Sequence, residues 1–199
     1  MFINIKTLLI IALFSASAFG ADKLNVIVTL PELAWITKEV GRDQVKVKSL
    51  LSGNEDPHFV DASPAFVFKV SQADLVVYNG LFLETGWLPK VVQTSGNAKV
   101  QYQNKGNCDA SSKIDKIGEI KNYDRSMGDL HPAGNPHYTV SPKQMINAAA
   151  AIKECLEKVG AKDLDENFKA LKKKLEMAHK EAKKKVSKLK NKKFMVYHR

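Results

Sequence analysis

Short β-branched runs alternate with helix-like segments between residues 24 and 103, and this alternation constrains the fold more than any other feature. "LNVIVTL" (24–30), "VKVKSLL" (45–51), "ADLVVYNG" (73–80) and "AKVQYQ" (98–103) read as four strands. Between them, "ELAWITKEVG" reads as a helix ending at Gly41, and "TGWLPKVVQTS" as a short helix in spite of Pro89. "SPAFVFKVSQ" reads as a helix capped by Ser63, with Pro64 in its first turn. Strands separated by helices of this length predict βα units, hence an α/β fold with a four-stranded parallel sheet flanked by helices. Ligands of such sheets gather at the carboxyl ends of the strands. Loops rich in Pro, Gly and His fall there.

From Asn104 to Pro136 periodicity fades. A helix resumes at "SPKQMINAAAAIKECLEKVG", opened by Ser141-Pro142 and closed by a glycine. A second, longer helix follows, with Phe168, Leu171, Leu175, Ala178, Ala182, Val186 and Leu189 forming one apolar stripe at helical spacing. "KKFMVYHR" then begins a strand that has no sheet partner of its own, so more chain is expected beyond it. The expected organisation is a signal peptide over 1–20, an α/β lobe over 21–161, a long helix over 162–193, and the first strand of a further unit over 194–199.

Charge decides less than it first suggests. The net charge is +10, but thirteen lysines against five acidic residues lie between Lys162 and Lys193. They surround the apolar stripe without interleaved aromatics, the pattern of a solvated helix face, so no nucleic-acid partner is expected. The leader "MFINIKTLLIIALFSASAFG" has one lysine, a short apolar run and small residues near its end, which predicts cleavage before Ala21 and export to the periplasm. Its apolar run falls short of the roughly 20 residues of a spanning helix, and no cysteine follows it, so neither a membrane-embedded nor a lipid-anchored form is expected. Cys108 and Cys155 are the only cysteines. In an oxidising compartment they either pair or remain two separate thiols, and spacing alone does not choose.

Three histidines sit beside stiff backbone: His58 in "NEDPHF", His137 in "GNPHY" and His198 in "MVYHR". The first two share an Asx-Pro-His form in which proline restricts its neighbour and presents the imidazole from a rigid support. Neutral imidazole is a favoured nitrogen donor for zinc, and a preorganised set lowers the entropic cost of assembling a site. Each histidine alone would read as a hydrogen-bonded loop residue; three together point to a metal.

"EDPHFVDASP", "ADLVVYNGLFLETGWL", "DRSMGDLHPAGNPHYTVSP" and "FMVYHR" after a lysine-rich helix resemble, in order and spacing, the zinc/manganese solute-binding proteins of ABC transporters, the cluster A-I family. That resemblance implies two α/β lobes joined by a rigid helix, with the metal held in the cleft between them; 21–161 is then the N-terminal metal-binding lobe, 162–193 the linking helix and 194–199 the first strand of a second, mostly absent lobe. It implies His58, His137 and His198 as ligands, and an inner-membrane ABC permease as partner of a monomeric binding protein that is not an enzyme. His131 is expected as an auxiliary ligand or a solvated loop histidine. The family's usual fourth ligand, a late Asp, has no position in this sequence, and Ser141 stands where the family more often has an acidic residue. Histidine rather than glutamate at position 198 argues for Zn2+ over Mn2+. The competing readings are a manganese- or iron-binding homologue, an adhesin-like or polyanion-binding surface protein and, behind these, a zinc hydrolase. No HExxH and no evident general base support the hydrolase, and the solvated helix face argues against polyanion binding.

Overall fold

The computed structural model describes residues 22–120, 131–191 and 193. Its centre is a sheet of four parallel strands, β1 (Leu24–Val28), β2 (Val45–Ser49), β3 (Leu75–Tyr78) and β4 (Asn107–Asp109), in the order β2-β1-β3-β4. Val26 of β1 lies opposite Val47 on one side and Leu75 on the other, and Val77 lies opposite Cys108. Val26, Ile27 and Val28 have almost no exposure, as expected of a central strand covered on both faces. Each such side chain contributes about 1.5–3 kcal/mol on burial.

The helices are α1 (Pro31–Gly41), α2 (Pro64–Ser71), α3 (Leu88–Thr94), α4 (Pro142–Lys158) and α5 (Asp165–Ser187). The connection from β1 steps to one side of the sheet, and the connection from β2 returns across β1 to β3. Right-handed crossovers therefore put α1 and α2 on opposite faces. In agreement, α1 packs with α4 and α5, and α2 packs with α3. Proline occupies the first turn of α1, α2, α3 and α4, where a missing N–H removes no helical bond. Ser63 caps α2 through Phe66 N–H as expected, whereas the Ser141 side chain makes no capping bond to α4.

The fourth strand differs from expectation. Residues 98–100 of "AKVQYQ" form a 3-10 turn, and the strand beside β3 is Asn107–Asp109. Asn97 decides this locally: its Oδ1 accepts from Lys99 N–H at 3.0 Å, while its Nδ2 donates to the carbonyls of Val70 and Ala73 at the end of α2. Those bonds hold the chain in a turn in spite of the strand propensity of Val100 and Tyr102. Cys108 of β4 is joined to Cys155 of α4, with Cα atoms 5.9 Å apart, so the two cysteines form a disulfide between sheet edge and helix.

Along α5 the apolar stripe is covered only in part. Leu171 and Leu175 are buried, but among the described residues the stripe from Ala178 onward is exposed, with Val186 and Leu189 each more than half accessible. The expected strand at 194–199 lies outside the described residues.

Candidate metal centre

The carboxyl ends of β1, β2 and β3 open onto a cavity of about 160 Å3, lined by residues that include Pro31, Leu51, Pro57, Asn79, Pro136 and His137. It lies between β1 and β3, whose connections run to opposite sides of the sheet, the position at which such folds bind ligands.

Two loops with the same chemistry meet there. In Asp56-Pro57-His58, Asp56 Oδ1 accepts from His58 N–H at 3.0 Å; in Asn135-Pro136-His137, Asn135 Oδ1 accepts from His137 N–H at 2.8 Å. Each is an Asx turn stiffened by proline, so the form legible in the sequence has a geometric cause. A side chain of the lobe grips each proline carbonyl. Trp87 Nε1–H donates to Pro57 at 2.9 Å, and Asn79 Nδ2–H donates to Pro136 at 2.9 Å.

His58, His131 and His137 converge, their candidate ligand nitrogens all lying within 4.8 Å of one another. Ring centroids are separated by 5.1, 5.6 and 6.1 Å, so the imidazoles surround a common point. His58 Nε2 and His131 Nε2 are 3.0 Å apart. Tetrahedral zinc with Zn–N bonds of about 2.0–2.1 Å sets its nitrogens roughly 3.3 Å apart, so this pair needs little movement to take up an ion. On the far side of His58, Nδ1 lies 2.6 Å from Asp56 Oδ1. A proton held on Nδ1 by that carboxylate leaves the Nε2 lone pair facing the cluster, the usual arrangement behind a metal-binding histidine.

Asp56, not Glu55, is the acid beside His58. Glu55 folds the preceding turn, its Oε2 accepting from the N–H groups of Ser52, Gly53 and Asn54 and from the Ser52 hydroxyl. The Ser52 hydroxyl leads the hydrogen bonds that hold the Glu55 carboxyl below the usual carboxylate range.

His131 is not the solvated loop residue that its sequence setting allowed; it is only 6% exposed. Its loop is pinned to residues 117–120, with Ile120 N–H donating to Pro132 and Asn135 N–H donating to the Ile117 carbonyl. His198, the third ligand implied by the resemblance, lies outside the described residues.

Behind the cluster is a buried polar layer that the sequence did not mark. Trp87 and Glu84 are 1% and 3% exposed. Glu84 Oε1 accepts from the Thr29 hydroxyl and from Asn79 N–H, both at 2.7 Å, and Oε2 accepts from Gly80 N–H at 3.1 Å. Burial pushes the Glu84 carboxyl upward, opposed by these hydrogen bonds. Tyr138 donates its hydroxyl to the Asn79 carbonyl at 2.8 Å, and burial likewise raises its phenol.

A parallel α/β lobe with imidazoles gathered at the carboxyl end of its sheet belongs to the class of arrangements that can hold a metal ion. Within that class, the chain belongs to the family described as the zinc-uptake complex component A, periplasmic (ZnuA), whose pattern matches residues 26–199. The metal ABC transporter substrate-binding lipoprotein ScbA of Streptococcus cristatus is 33% identical over 185 residues, covering 92% of this chain and 57% of that protein. The manganese ABC transporter substrate-binding lipoprotein PsaA of Streptococcus anginosus is 32% identical over 193 residues, 93% of this chain and 59% of that protein. A crystal structure of ZnuA is similar with a TM-score of 0.70 and 26% identity, over 89% of this chain and 65% of that one. The chain thus spans less than two thirds of the length of these relatives. Among the described residues, no helix is long and apolar enough to cross a membrane.

Proposed function

We propose that this chain binds a divalent transition metal, Zn2+ ahead of Mn2+, outside the cytoplasm and delivers it to the permease of an ABC uptake transporter. The observation that carries this reading is the convergence of His58, His131 and His137 on one point from stiffened loops. His58 and His137 are the proposed core of the site, His131 its third nitrogen, and His198 a further donor. Imidazole nitrogens favour zinc over manganese, which prefers oxygen donors and stands lowest in the first-row affinity order. The manganese alternative has its support in the name of the PsaA relative. Residues 21–161 serve as the binding lobe and 162–193, whose helical part is α5 (Asp165–Ser187), as the link to a second lobe that residues 194–199 enter.

Export fits the Cys108–Cys155 bond, because disulfides persist in oxidising compartments. We assign no hydrolytic step to the site, in keeping with relatives named as substrate-binding proteins.

Calorimetric titration of chelator-stripped protein with Zn2+ tests the reading, beside the double variant His58→Ala/His137→Ala. Zinc binding is expected to weaken at least about 100-fold in the double variant, and His131→Ala and His198→Ala to weaken it less. A double variant that holds zinc as tightly as the unaltered chain would sink the assignment.

A further inference from the structure

We propose that Glu84 is a positioning residue for His137, acting through Asn79. The proposal rests on the metal-binding reading above and concerns how the site is held rather than what it binds.

Asn79 grips the loop on both sides of His137. Its side-chain amide donates to the carbonyl of Pro136, the residue before, and its backbone carbonyl accepts from the hydroxyl of Tyr138, the residue after. All three partners are buried, and the amide's other atoms leave it no solvent to turn toward, since Asn79 has no exposure. The orientation of His137 therefore follows the orientation of Asn79.

Glu84 sets Asn79 in turn. Gly80, Leu81 and Phe82 all have positive φ, at 80°, 52° and 69°, so the chain makes a left-handed turn between Asn79 and Glu84. Side chains with a Cβ disfavour that conformation. The Glu84 carboxylate reaches back across the turn to accept from the N–H groups of Asn79 and Gly80, and Leu83 N–H closes it on the Gly80 carbonyl. The Thr29 hydroxyl ties the same carboxylate to the end of β1. An apolar residue at position 84 would fill the space without desolvating a carboxyl group, but would hold neither N–H. A carboxylate buried at this turn makes physical sense as the group that fixes Asn79 to the sheet, and with it the spacing between the His137 loop and the His58 loop.

The test compares the full chain with Glu84→Gln, Asn79→Ala and Tyr138→Phe. Glutamine keeps the shape but puts an NH2 group against one of the N–H or O–H donors; alanine at 79 keeps both backbone bonds and loses only the grip on Pro136. Three quantities are read: the zinc dissociation constant by competition with a chromophoric chelator, the visible absorption of the Co2+-loaded protein, and the imidazole NMR signals of metal-free protein. In Glu84→Gln and Asn79→Ala, zinc affinity is expected to fall on the order of 10-fold, the Co2+ bands to shift, and the His137 signals to move while those of His58 stay. Tyr138→Phe, which removes one hydroxyl, is expected to show the same pattern more weakly and keeps the test available if Glu84→Gln does not fold. Variants with lowered melting temperature but unchanged dissociation constant, Co2+ spectrum and His137 signals would overturn the proposal, leaving Glu84 a fold-stabilising residue only. If the unaltered chain itself binds no zinc through His58 and His137, the metal reading fails, and the metal-free His137 signals alone decide for or against the relay.

Discussion

Gly80 shows how one residue constrains both the sheet and the site. It sits at φ 80° at the end of β3, and a Cβ there would collide with the Asp109 carboxylate and the Ser111 hydroxyl, which together shape the start of the chain after β4. Neither neighbour can simply turn away, because Asp109 Oδ1 accepts from both Ser111 N–H and its hydroxyl. Gly80→Ala is therefore expected to lower stability by about 3 kcal/mol or more, through left-handed backbone strain and the clash together; urea unfolding followed by circular dichroism measures it. The same substitution disturbs the N–H that Glu84 holds. In the sequence the dipeptide Asn79-Gly80 is only the end of the run "ADLVVYNG". What made it more was invisible there, since Asn79 meets Pro136 across 57 positions and Tyr138 across 59.

At the scale of elements, local rules worked where the determining forces are local. Ser63 and Pro64 open α2, and Asx-Pro-His produces the same turn twice, because proline φ and Asx capping act within a few residues. They failed at the fourth strand, where Asn97 draws "AKV" into a turn and the open edge of β3 recruits Asn107–Asp109. A three-residue strand has too short a pattern to announce itself. That edge is secured covalently: the Cys108–Cys155 bond spans 47 residues and ties β4 to α4. Loop-closure entropy for a span of this length is worth about 4 kcal/mol, the expected upper bound on the stability loss when both cysteines are replaced by serine. Guanidinium unfolding of the double variant checks it, and an unchanged midpoint would show that β4 is held by packing alone.

The whole molecule is unevenly stabilised. The core beneath α1, α4 and the first turns of α5 is close-packed, while from Ala178 to Ser187 the helix keeps its apolar stripe uncovered among the described residues. Hydrogen exchange measured by mass spectrometry on the chain as given is expected to show amides around Leu171 and Leu175 protected and those beyond Ala178 exchanging much faster, because local opening there exposes little buried apolar surface. Equal protection along the helix would mean that something covers the stripe.

By itself, the sequence determined the alternation of strands and helices, the parallel sheet, the side of that sheet on which ligands gather, and the rigid turns that carry His58 and His137. These follow from periodicity, proline geometry and capping, all short-range. Only the tertiary structure decided that His131 is buried beside those half-buried histidines, that Cys108 meets Cys155, and that Glu84, Asn79 and Trp87 stand behind the cluster. Those relations join residues tens of positions apart, and their energies arise from burial and hydrogen bonding that exist only once the sheet has brought the strand ends together.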